Sequence, residues 1–144
     1  MRAIIIAAIL SVTIQSSYAT PADNLAKLSG MHERSNRVQL RKILGIDPAR
    51  IPWCGAAVAW AVKKAGRKPP AAPLRAISWR SYGKSVTLSS ARRGDVVVVR
   101  NRRGHHVALV TRKKGGAVCM VGGNQSNRIS EKCVSARSIV AVRR

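Results

Sequence analysis

The segment from Ile51 to Gly66 constrains this chain most. Asp47-Pro48 and Ile51-Pro52 break the backbone, and Cys54, Val58, Ala61, Val62 and Ala65 then recur at helical spacing on one face. Lys63 and Lys64 suit the last turn of such a helix and Gly66 its stop. The spacing therefore predicts a helix from about Trp53 whose apolar stripe must be buried, with Cys54 at its N-terminal end. A thiol at a helix N-terminus meets unpaired N–H groups and partial positive charge, both of which favour a thiolate, so Cys54 is a candidate nucleophile. An inert buried cysteine is the competing reading.

Other helical patterns precede this one: Ala22 to Gly30 and Glu33 to Leu44 both end at glycine. Ile77, Trp79 and Tyr82 suggest a further short helix or turn. From Gly94 the pattern changes. Val96-Val97-Val98-Val99 is a β-branched run suited to a buried strand, Asn101 to Gly104 reads as a hairpin turn, and His105 to Thr111 as the return strand. Ala117 to Val121, Ile129 to Val134 and Ser138 to Val142 read as later strands, with Gly122 to Asn127 as a loop. Helices followed by an antiparallel meander make the expected class α+β, with the central helix packed on the sheet. The 144 residues suffice for one domain.

The N-terminus carries a different signal. Arg2, an apolar run from Ala3 to Ile14 and the small-residue pattern Ser17-Tyr18-Ala19 resemble a signal peptide cleaved after Ala19. The run is short for a bilayer span, so residues 1–19 are expected to be removed and residues 20–144 to form the domain, exported to the periplasm or outside the cell. No membrane span is expected after cleavage.

Removal would take away only one of the 27 basic residues and none of the 5 acidic ones, from a chain whose formal charge is +22. Such a field implies an anionic partner: cell-wall polymer, anionic lipid or nucleic acid. Three tryptophans, two tyrosines and no phenylalanine leave little for base stacking, so nucleic acid is disfavoured. Cys119 and Cys133 bracket a Gly-Gly-Asn-Gln turn. A disulfide there would close a loop of about 15 residues, worth roughly 3 kcal/mol in the entropic account, and would leave Cys54 free. Two reduced core thiols are the alternative. Zinc is disfavoured, since no paired C-x-x-C spacing exists.

A helix-start cysteine followed by a strand histidine is what a thiol hydrolase needs, because the imidazole takes the thiol proton and later protonates the leaving amine. Adjacent strand residues point to opposite faces, so His105 and His106 cannot both serve. Four segments in order resemble the CHAP/NlpC-like cysteine peptidases, papain-like enzymes that act on peptidoglycan: Ile51 to Cys54, Arg93 to Val98, Gly104 to Val110, and Val121 to Ser126. Glu33 with Asn36-Arg37 and the Ala76 to Trp79 segment also look like that group.

The resemblance implies a papain-like fold without a cofactor or metal, and peptidoglycan as substrate. It implies Cys54 as nucleophile, His106 as base and Asn124 as the residue that orients it, with His105 and Gln125 as alternates and Trp53 at the substrate cleft. The chain departs from the pattern in having two histidines, in Gly122 where many relatives carry an acid, and in a shortened loop after Glu33. The competing class is a catalytically silent, basic binder of wall polymer, lipopolysaccharide or nucleic acid.

Overall fold

A computed structural model describes residues 18–144, so most of the expected signal peptide, residues 1–17, lies outside the described residues. Helix α1, Pro21–Ala26, begins with a capping box: Thr20 Oγ1 accepts from the Asp23 N–H while the Asp23 carboxylate accepts from the Thr20 N–H. Helix α2, Arg37–Leu44, starts four residues later than the periodicity predicts. The reason is tertiary. The N–H groups of Gly30 and Glu33 bond to the carbonyls of Ile129 and Asn127, and the Ile129 N–H bonds to Met31, which holds this stretch extended against the sheet.

Helix α3, Cys54–Lys64, begins and ends as expected, with Gly66 in the left-handed region at φ 73°. Ala56, Ala57, Val58, Ala61 and Val62 are all buried on it. Burial of each valine side chain is worth about 1.5–3 kcal/mol, which fixes the helix to whatever lies beneath. Ala76–Ser81 forms a 3-10 turn that buries Trp79.

The sheet has six antiparallel strands: β1 Ser85–Val86, β2 Val96–Asn101, β3 Gly104–Lys114, β4 Ala117–Gln125, β5 Arg128–Ser135 and β6 Ile139–Arg143, in the order β1-β6-β2-β3-β4-β5. The α+β class is as expected, with two corrections. The meander runs only from β2 to β5, and β6 crosses back to pair with β2 and the short β1. The segment from Gly122 to Gln125, expected as loop, completes β4. Cys119 and Cys133 lie directly opposite each other on β4 and β5 and form a disulfide.

Strand alternation sorts the core into two layers. Val96, Val98, Val107, Leu109 and Val121 pack with α1 and α3 on one face, while Val97, Val99, Ala108, Val110, Val118 and Met120 form a second cluster on the other. The buried carboxylate of Asp95, just before β2, ties that strand to the end of β6 by holding the guanidinium of Arg144 at 2.7 and 2.8 Å, and it accepts from the Arg92 N–H at 2.9 Å. Among the described residues no helix is long and apolar enough to cross a membrane.

Candidate active site

Cys54 opens α3 because the proline-broken segment before it delivers the chain to Trp53, and Trp53 is held in place. The indole N–H of Trp53 donates to Glu33 Oε2 at 3.1 Å, and its ring lies beneath Gly123, where a Cβ would come within 2.7 Å of the ring. Trp53 is 0% exposed. It is therefore a core residue at the start of α3, covered by the close approach of β4. Gly55 likewise permits contact, since a side chain there would strike the Pro73 and Leu74 carbonyls.

Cys54 is a free thiol, 7% exposed. The backbone N–H groups of Val107, Gly55 and Cys54 itself favour the charged form of the thiol. The Val107 contact explains how a residue on one layer reaches the sheet. Val110 exchanges backbone hydrogen bonds with Gly94 and Asp95, and antiparallel alternation then turns the Val107 N–H toward β4. The β3–β4 register, however, extends only from Lys114↔Ala117 to Leu109↔Val121. Beyond that point the regular pairing ends, although Gly122 still lies against Ala108.

The residue before that amide is His106, whose Nε2 lies 3.1 Å from Gln125 Oε1. The Gln125 side-chain N–H2 donates to the Ser130 carbonyl, so its oxygen is the atom left to accept from the imidazole. This network assigns the proton to His106 Nε2 and leaves Nδ1 as a lone pair. The imidazole thus has one nitrogen anchored and one available as a base.

The orienting partner in the structure is Gln125, the alternate, and not Asn124. Pairing of β4 with β5 jumps from Gly122↔Ser130 to Gln125↔Arg128, and Asn124 takes a left-handed φ of 57° inside that bulge. The bulge resets the side-chain alternation and aims Gln125, 6% exposed, at the histidine. Asn124 lines the adjoining cavity instead. His105 is half-buried and paired with Arg100 on β2. Its parity with Val107 and Leu109 puts it on the α3 face, whereas His106 shares the face of Val99 and Ala108.

Burial decides the resting protonation. Desolvation pushes the Cys54 thiol above its ordinary value against the pull of the three N–H groups. Desolvation also lowers the His106 pKa, with Lys132 adding in the same direction and Gln125 opposing. Burial thus works against the thiolate expected at the helix N-terminus and against the imidazolium, since removal from water disfavours both charged forms. The arrangement suits proton transfer at the moment of attack.

A cavity of about 390 Å³ opens beside His106 and Gln125, and its other walls include Arg100, Arg102, Arg103 and Lys132. Among the described residues no group of three or more His, Cys, Asp or Glu side chains is gathered for a metal. Sequence reasoning missed the Glu33–Trp53 bond and the Ser130 carbonyl that sets Gln125. Glu33 stood twenty residues from Trp53 with no periodic signal, and Ser130 depends on the bulge.

No protein-family model matches the chain, and no curated protein matches it. Solved structures similar to it include a hypothetical invasion protein of Mycobacterium tuberculosis, at 21% identity and a TM-score of 0.48 over 63% of this chain and 41% of that one. A P60 domain of an antigen from M. avium subspecies paratuberculosis is 15% identical, with a TM-score of 0.47 over 63% of each chain. The peptidoglycan hydrolase RipB of M. tuberculosis is 15% identical, with a TM-score of 0.49 over 84% of this chain and 70% of that one. The chain thus spans less than two thirds of the length of the first two.

Proposed function

We propose that this chain is an exported cysteine hydrolase that cuts amide bonds in peptidoglycan, as an amidase or endopeptidase. The observation that carries the reading is the His106 Nε2–Gln125 Oε1 bond, which leaves Nδ1 free as a base on the residue next to Val107, whose backbone N–H favours the charged form of the Cys54 thiol. Nδ1 takes the thiol proton as sulfur attacks the amide carbon, and the N–H groups at the start of α3 face the developing oxyanion. The C–N bond then breaks as the imidazolium returns the proton to the leaving amine. Water, deprotonated by the same nitrogen, hydrolyses the thioester and frees Cys54.

Two further features support the setting. The Cys119–Cys133 disulfide suits an oxidising compartment outside the cytoplasm. The +22 charge suits an anionic wall and would hold the protein there by salt-sensitive attraction. Incubation with purified peptidoglycans, followed by mass analysis of fragments, tests the reading. New termini appear with the native protein and are absent with Cys54→Ala; unchanged release by Cys54→Ala defeats the assignment.

The burial of Cys54 favours a second reading, a silent basic binder of wall polymer, lipopolysaccharide or nucleic acid. It predicts salt-sensitive binding without turnover and no rapid labelling of Cys54 by a thiol reagent.

A further inference from the structure

The geometry points to the cavity beside His106 as a subsite for a carboxylate of the substrate peptide, held by Arg102, Arg103 and Lys132 while the neighbouring amide is cut. This rests on the hydrolase reading and adds to it the chemical feature the substrate must carry.

The charge distribution of the whole chain leads there. All five acidic side chains lie among the described residues, and each is engaged elsewhere. Asp23 holds Arg93, Glu33 holds the Trp53 indole, Asp47 holds Arg37, Asp95 holds Arg144, and Glu131 holds Arg112. None lines the cavity, whose walls carry Arg100, Arg102, Arg103 and Lys132. These four cations converge on one concavity without an internal counter-charge, and like charges that close repel one another until an anion enters.

Local structure holds them there. The turn between β2 and β3 is fixed by Asn101 Oδ1, which accepts from the Arg103 N–H at 2.9 Å, and by Gly104 at φ 116°. Arg102 and Arg103 therefore ride on a defined hairpin. Lys132 comes from β5 opposite Met120, next to the Cys119–Cys133 disulfide that ties β5 to β4. A guanidinium pair and an ammonium form charge-assisted bonds with a planar carboxylate. The fixed anions of a peptide are carboxylates, and His106 and Gln125 line the same cavity, so a carboxylate bound there lies near the imidazole.

The test uses a synthetic wall stem peptide and the same peptide with every carboxylate converted to carboxamide. The native protein should cleave the free-acid peptide about tenfold more efficiently, with the difference in KM rather than kcat. The double variant Arg102→Gln/Lys132→Gln should bring the ratio close to one. Arg34→Gln/Arg41→Gln, which removes the same charge from the region of α2, should leave the ratio unchanged. Calorimetric binding to Cys54→Ala reads the preference without turnover. If Cys54→Ala prefers the free-acid peptide while the native protein cleaves neither, the subsite stands and the hydrolase reading falls. Equal affinity of Cys54→Ala for the two peptides, or loss of the preference in the α2 control, overturns the subsite.

Discussion

The two halves of β4 do different work. From Ala117 to Val121 the strand pairs regularly with β3 and β5, buries Val118, Met120 and Val121, and is tied to β5 by the disulfide. From Gly122 to Gln125 its regular pairing with β3 ends, Gly123 approaches Trp53, and a bulge against β5 lets Gln125 meet His106. The contrast teaches that the site is built where regular pairing stops. The Val107 N–H that favours the Cys54 thiolate lies just beyond the last regular β3–β4 pair, while the disulfide ties the regular half.

Four measurements would break or sharpen that contrast. Replacing both Cys119 and Cys133 by serine removes the tie in the regular half and should lower stability by about 3 kcal/mol in urea unfolding. Turnover measured well below the midpoint should persist, because neither cysteine touches His106 or Cys54. A turnover loss as large as that of Cys54→Ala would show that the halves are not separable.

Gln125→Leu acts in the irregular half and should reduce kcat by roughly tenfold to a hundredfold, since the imidazole loses its anchor. It also carries a pH signature. Activity requires neutral His106, whose pKa burial already holds below 6.5, and the Gln125 bond partly offsets that lowering. Without the bond the folded pKa falls further, so the acid limb of kcat/KM should move to lower pH while the plateau drops. A limb that stays in place would remove Gln125 from its positioning role.

Gly123→Ala forces a methyl into the Trp53 ring and Ala57 and should cost about 1–3 kcal/mol by overpacking. Turnover should fall with it, because Trp53 sets the start of α3. The smallest effect is expected for Asn124→Gly, which keeps the left-handed turn and should change stability by only a few tenths of a kcal/mol. A large kcat loss for Asn124→Gly, alongside an intact Gln125→Leu enzyme, would restore Asn124 as the orienting residue.

Much of this was legible beforehand where the signal is local. The α3 stripe and the β2–β3 hairpin follow from spacing within short windows, since β-branched runs and turn residues carry their own steric preferences, whereas the choice between a Cys119–Cys133 bridge and two reduced thiols rested on the β4–β5 register. The return of β6 to β2 left no such trace, because a strand's partner depends on the sheet that already exists. The start of α2 was misplaced for the same reason: propensity favours helix from Glu33, and hydrogen bonds to Asn127 and Ile129 override it.

The sequence by itself determined which chemistry-bearing residues the chain owns, that Cys54 begins a helix, and that a cationic surface faces any partner. Tertiary structure alone decided which of Asn124 and Gln125 holds the histidine, that Trp53 is buried, and that burial raises the pKa of the thiol. A bulge shifts side-chain parity by its extra residues, and burial removes water from an ionisable group. Both are properties of packed neighbours distant in the chain, which no spacing of residues along it records.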